Sequence, residues 1–202
     1  MRGPQRGEPS LYSSNGVRKY LNAGERRRFV DAVRQFPRAD QLLCLMVMWT
    51  GARLSEALAI TPDAIDLDAR SVSLHTLKRR RFGVVRQVPL PSEFLDVLDR
   101  FFRLRARQGD ASLARARLWK WSRTTAWRHI KAVLRAANVL GIASTPKALR
   151  HTFGVSAFQA NVPPHLVQRW LGHASPRTTA IYGDVSGPEE RAFADRLWQH
   201  WS

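Results

Sequence analysis

The residue pattern predicts a mainly helical α+β domain with one small antiparallel β-sheet. Three observations carry that expectation. Apolar residues recur at helical spacing through most of the chain. A single pair of segments, 71–76 and 84–90, alternates apolar and polar residues instead. Pro146, Pro163 and Pro176 each stand where a first helical turn needs no amide donor.

In chain order, residues 1–20 carry Gly, Pro, Ser and Arg with little periodicity, which predicts a flexible basic tail. A helix is expected from Asn22, with Phe29, Val30, Val33 and Phe36 on one face and Pro37 as its stop. The apolar run around Leu42 to Trp49 predicts a buried helix over 40–49. Thr50-Gly51 breaks it, and Arg53-Leu54-Ser55-Glu56-Ala57-Leu58 starts another on a new axis. Val72, Leu74 and Thr76 then predict one strand, and Val84, Val85, Val88 and Leu90 a second, with Lys78-Arg79-Arg80-Arg81-Phe82-Gly83 as the turn. Beyond this hairpin, helices are expected over 92–108, 123–138, 146–160, 163–171, 176–182 and 188–199. Thr145 and Ser175 are available as caps.

The chain of 202 residues suits one domain with short extensions. Its 33 Lys+Arg against 16 Asp+Glu give a formal charge of +17, and a field of that sign selects polyanions. Basic residues are spread along the chain rather than gathered beside an apolar helix face, which favours nucleic acid over a membrane surface. One cysteine, Cys44, excludes an internal disulfide and a cysteine-based metal cluster. Its apolar surroundings are far shorter than the roughly 20 residues that span a bilayer. Met1 to Ser14 is polar, so a cytoplasmic, nucleoid-associated bacterial protein is expected.

Chemistry concentrates near the C-terminus. Lys147 and Arg150 stand three apart at a helix start, where the macrodipole prefers anions. At about 4 Å and an effective dielectric near 20, such a like-charge contact costs about 4 kcal/mol. An external anion between the two relieves that cost; splaying into solvent does so too. Downstream, Leu171-Gly172-His173-Ala174-Ser175-Pro176 joins a helix stop, a histidine and a new helix that ends in Tyr182.

The strings Ala148-Leu149-Arg150-His151-Thr152-Phe153, Leu171-Gly172-His173 and Thr178-Thr179-Ala180-Ile181-Tyr182 resemble the C-terminal signature of the tyrosine recombinases, the phage integrase family. Thr50-Gly51-Ala52-Arg53-Leu54-Ser55-Glu56-Ala57-Leu58 resembles that family's first box, so the likeness covers residues 20–186. It implies the tyrosine recombinase catalytic-domain fold over 21–186. Residues 187–202 then form a C-terminal helix that either docks onto a neighbouring protomer or folds back.

The resemblance also implies roles. Arg53 and Arg150 clamp the non-bridging oxygens of a scissile DNA phosphate. Tyr182 attacks phosphorus to leave a 3′-phosphotyrosyl link, and His173 hydrogen-bonds a phosphate oxygen as charge builds. Lys78 protonates the leaving 5′-oxygen. Glu56 supports the site, and no metal or other cofactor takes part. Lys147 takes the place of the family's usual histidine as a catalytic residue that hydrogen-bonds the phosphate, and a protonated lysine leaves the acceptor of the tyrosine proton unassigned. Arg79, Arg80 and Arg81 in the hairpin turn are candidate phosphate contacts.

A structural hydrogen-bonding role is expected for His151. Arg123, Thr124, Thr125 and Arg128 open a helix with groups suited to a DNA groove. Trp119, Trp121, Trp127 and Trp170 are expected to pack in the core or against DNA backbone. The partner implied is double-stranded DNA, bound by a homo-tetramer on paired sites, with a monomer allowed without DNA.

Most family members add an N-terminal helical domain that completes a clamp. Only about 20 residues precede the likeness, so a fragment and a minimal enzyme are both open, and salt-sensitive binding is expected. A site-specific recombinase is the leading reading. The alternatives are a type IB topoisomerase or telomere resolvase, and a non-cleaving DNA-binding protein on the same fold.

Overall fold

The structure is a computed structural model that describes residues 10–76, 84–185 and 188–199. Helix α1 (Ala23–Val33) begins at a reciprocal cap. The Asn22 side chain accepts from the Glu25 amide, and the Glu25 carboxylate accepts from the Asn22 amide, each at 2.8 Å. Helix α2 (Arg38–Thr50) buries Leu42, Leu43, Cys44, Met46 and Val47, so it runs through the core. It stops at Gly51, whose φ of +61° is left-handed. A Cβ there would stand 2.6 Å from Leu171 and 2.7 Å from Phe153, so glycine is required on both counts.

After the short helix α3 (Leu54–Ala57) come three strands, one more than expected: β1 (Ile65–Asp66), β2 (Ser71–His75) and β3 (Val85–Pro89). They form an antiparallel sheet in that order. β3 is an edge strand, which is why it tolerates Pro89, paired with Ser71. The expected turn 78–83 lies outside the described residues.

The helix expected over 92–108 is two. Helix α4 (Ser92–Phe102) ends where Arg103 turns to φ +54°, and α5 (Leu104–Gln108) restarts with Asp99 accepting the Arg105 amide. The short α6 (Ala111–Ala114) had no counterpart in the periodicity. Helix α7 (Arg123–Ala136) is capped by Ser122 and buries Ala126, Ile130, Val133 and Leu134. Its first turns are tied down where Trp121 packs on His129, whose Nδ1 meets the Asp40 carboxylate at 2.6 Å.

Helix α8 (Pro146–Gln159) is capped by the Thr145 hydroxyl, as its sequence suggested. Helices α9 (Pro164–Leu171) and α10 (Pro176–Ala180) follow, the latter without a side-chain cap from Ser175. A 3₁₀ turn, Ile181–Gly183, ends this run and carries Tyr182. Helix α11 (Pro188–Gln199) folds back onto α8, with the Arg196 guanidinium donating to the Gln159 carbonyl.

The main core gathers α1, α2, α4, α7 and the sheet. A second apolar cluster joins Leu11, Tyr20, Val155, Val167, Leu171, Ile181, Tyr182 and Val185. Within residues 10–20, expected as part of a flexible tail, Leu11 and Tyr20 are thus packed. Leu11 and Tyr20 are buried because they cover the turn that carries Tyr182, and the Leu21 amide donates to the Thr152 hydroxyl at 2.9 Å. Residues 1–9 lie outside the described residues.

Candidate active site

Arg53 stands at the start of α3, immediately after the Gly51 break. Its backbone amide donates to Glu56 Oε2 at 2.9 Å and its Nη1 to Glu56 Oε1 at 2.6 Å. The rest of the side chain stays partly open, 29% exposed, whereas the Glu56 side chain is 1% exposed. Burial alone would raise the Glu56 carboxyl, but the hydrogen bonds and charges of Arg86 and Arg53 outweigh burial and hold it below its ordinary value. A buried carboxylate this well paired is a fixed anchor for cations, not a proton donor.

Arg150 is buried on α8. Its Nη1 donates to the Gly51 carbonyl at 2.6 Å and its Nη2 to the Leu171 carbonyl at 2.5 Å. These carbonyls belong to the C-terminal ends of α2 and α9, where unpaired acceptors and negative partial charge collect. One guanidinium therefore ties together the two breaks that carry Arg53 and His173. Burial first, then the Arg53 cation, lowers its pKa to about 10, so it remains a cation at neutral pH. Lys147, one turn earlier, is exposed. The two cations thus escape mutual repulsion by parting: one is buried against carbonyls and the other faces water.

Gly172, with φ +63°, turns the chain into His173. His173 Nδ1 meets the Thr179 hydroxyl at 2.9 Å, and its amide donates to the Gln168 carbonyl at 3.1 Å. Burial, followed by the charges of Arg150 and Arg53, depresses its pKa to about 3, so the ring is neutral.

The Tyr182 ring lies nearly parallel to that of His173, centroids 5.9 Å apart, and is tilted against those of His151 and Phe158. Its hydroxyl is 3.3 Å from His151 Nδ1. Burial raises the phenol pKa, while the cations of Arg150 and Arg53 oppose that rise. The phenol thus lies within the field of both guanidiniums. Its space is provided by Gly154, where a Cβ would stand 2.5 Å from the ring.

His151 lies on α8 with its Nδ1 beside the phenol hydroxyl. Its Nε2 is buried without a partner. Burial, then Lys147 and Arg150, lowers its pKa to about 4.

Segments from both ends of the domain converge here, and one participant is not marked by any of the short motifs. Arg86 points inward from β3, donating through Nη2 to Glu56 Oε2 at 2.5 Å and through Nε to the Trp170 carbonyl at 2.6 Å. The signal was available: an arginine on the buried face of an alternating strand, beside Val88. Lys78, Arg79, Arg80 and Arg81 lie outside the described residues.

Arg123, Thr124 and Arg128 are exposed at the start of α7, with Thr125 half-buried beside Ser122. Trp119 is in the core, Trp121 and Trp170 pack at its margin, and Trp127 is exposed with the Lys131 ammonium over its ring.

The phage integrase family profile matches residues 19–187, most of the chain. The chain belongs to the phage integrase family. Among its curated relatives, tyrosine recombinase XerA of Pyrococcus furiosus is 27% identical over 181 residues, which cover 88% of this chain and 61% of the relative. Tyrosine recombinase XerD of Mycobacterium tuberculosis is 38% identical over 141 residues, covering 66% of this chain and 43% of that one.

Solved structures agree on the fold. A XerA recombinase crystal structure is similar at a TM-score of 0.69 and 24% identity, over 90% of this chain and 64% of that one. The catalytic domain of bacteriophage HP1 integrase is similar at 0.62 and 21% identity, over 87% and 93%. The fold is therefore that of tyrosine recombinase catalytic domains, and the chain spans about half the length of the curated relatives named here. Among the described residues, no helix is long and apolar enough to cross a membrane.

Proposed function

We propose that this chain is the strand-cleaving domain of a site-specific DNA recombinase acting through a 3′-phosphotyrosyl intermediate. The observation that carries this reading is the placement of Tyr182. A phenol from the far end of the domain rests beside His173 and within the field of Arg53 and Arg150.

In this reading Arg53 and Arg150 hold the non-bridging oxygens of a DNA phosphate, and their charge stabilises the phosphorane-like transition state. Tyr182 Oη bonds to phosphorus while the bond to the 5′-oxygen breaks. The phenol passes its proton to water as its turn moves outward, and Lys78 supplies the proton taken up by the 5′-oxygen. Reversal by an incoming 5′-hydroxyl rejoins the strand, so the phosphotyrosyl link conserves the energy of the broken bond. His173 donates to a phosphate oxygen, oriented by Thr179. Tyr182 is 1% exposed, so attack requires the turn that carries it to move outward.

DNA of the double-stranded class is the substrate, gripped by the positive surface and by Arg79, Arg80, Arg81, Arg123, Thr124, Thr125 and Arg128. Exchange between two sites calls for four copies. A non-cleaving DNA-binding protein is the second reading, favoured by the buried phenol and by Lys147 facing solvent.

The test is a duplex nicked beside the scissile phosphate, which traps cleavage as a covalent complex. Wild type is expected to form it on its target site and Tyr182→Phe to form none. A wild type that binds this duplex and traps nothing establishes the second reading.

A further inference from the structure

Three guanidiniums, those of Arg53, Arg86 and Arg150, surround one buried carboxylate, Glu56, and its two oxygens are divided between two of them. Oε1 takes Arg53 Nη1 at 2.6 Å, and Oε2 takes Arg86 Nη2 at 2.5 Å together with the Arg53 amide. Arg86 itself is fixed. Its Nε is held by the Trp170 carbonyl, its side chain is 3% exposed, and Gly172 leaves it room, since a Cβ there would stand 3.1–3.3 Å from its side-chain atoms. Its Nη1 is buried with no partner, so the fork is aimed to serve Glu56 rather than satisfied for its own sake.

A carboxylate prefers to take a guanidinium by both oxygens. With Oε2 occupied from the sheet side, Glu56 holds the Arg53 side chain by one nitrogen only. We propose that Arg86 is a positioning residue. By occupying Glu56 Oε2 it keeps Arg53 on a single ion pair and leaves the remainder of that guanidinium to a phosphate. Without Arg86, Glu56 turns both oxygens to Arg53 and draws it off the phosphate. The inference rests on the reading of Arg53 as a phosphate clamp.

The experiment measures three quantities on one nicked duplex: single-turnover formation of covalent complex, DNA affinity, and thermal unfolding. Arg86→Gln, which fills similar space without charge, is expected to slow cleavage about 100-fold while affinity changes less than about threefold, because Arg53 acts chiefly in the transition state. Arg86→Lys, which still neutralises Glu56, is expected to recover at least about tenfold of that rate. Glu56→Gln/Arg86→Gln is expected to cleave within about threefold of Glu56→Gln alone, since without the carboxylate Arg86 has nothing to occupy.

Either single change to Gln strands a buried charge, so if one of them fails to fold, Arg86→Lys, which keeps a cation on Glu56, is compared with wild type instead and is expected to cleave within about tenfold of it at unchanged affinity. Wild-type cleavage by Arg86→Gln overturns the inference, as does an equal loss of rate and affinity. A further drop of tenfold or more on adding Arg86→Gln to Glu56→Gln overturns it too. A wild type that forms no covalent complex removes the clamp reading and this inference together. A cleaving wild type matched by Arg86→Gln removes the inference alone.

Discussion

At the scale of single residues, burial and positive charge act in the same direction on the two histidines beside Tyr182. His151 titrates near pH 4 and His173 near pH 3, against an ordinary value of 6.5. Both folded values are depressed, so between these values and about 6.5 the unfolded chain binds the more protons. Stability is therefore expected to be complete above about pH 6.5 and to fall as pH drops toward 4, with a slope of up to about 1.4 kcal/mol per pH unit for the well-buried His151. Denaturant unfolding across that range measures the slope, and His151→Gln is expected to flatten it. A slope that survives the substitution unchanged assigns it to other groups. The same residues explain what the sequence made legible. Arg53, Arg150, His173 and Tyr182 each sit in a short local string, and short strings can be read without knowing the fold. Arg86 stands in no such string: alternation puts it on the face of Val88, but its meaning lies in a partner thirty positions away, Glu56.

At the scale of elements, most helices followed from apolar spacing and proline-led starts, and the departures have local causes. The split between α4 and α5 depends on the Asp99 carboxylate accepting a backbone amide, which periodicity does not register. The two-residue strand β1 is too short to show alternation. Residues 10–20 lack a repeating pattern, yet Leu11, Tyr12 and Tyr20 pack on the Tyr182 cluster, an effect of tertiary packing alone. That cluster leads to a prediction about α8. Its Gly154 faces the tyrosine ring with no room for a methyl group, so Gly154→Ala is expected to cost about 1–3 kcal/mol and to push Tyr182 from its place. Gly183→Ala meets nothing nearer than Phe158 at 3.6 Å and is expected to be nearly neutral for stability. Thermal unfolding of the pair checks this. Equal stability in both variants means that the ring yields without strain and that Gly154 sets no limit on its position.

At the scale of the whole molecule, the excess of 33 basic over 16 acidic residues serves two distinct ends. Arg86 and Arg150 are spent inside, on a carboxylate and on carbonyls, and present little to a polyanion at a distance. Arg123 and Arg128 are exposed on α7, an element otherwise anchored by its apolar face in the core. Counterions are displaced from DNA by cations that reach its phosphates, and each such contact contributes about 0.9 to the slope of log affinity against log salt. Arg123→Ala and Arg128→Ala are therefore expected to lower that slope by nearly 1 each, and to weaken binding in similar measure on target and unrelated duplexes. Arg34→Ala, at an exposed site paired with Asp31 at 3.8 Å, is expected to leave the slope unchanged. Titrations of a labelled duplex at several salt concentrations decide the matter. If Arg34→Ala lowers the slope as much as the α7 variants do, the molecule meets DNA through diffuse charge, and α7 holds no privileged position at the interface.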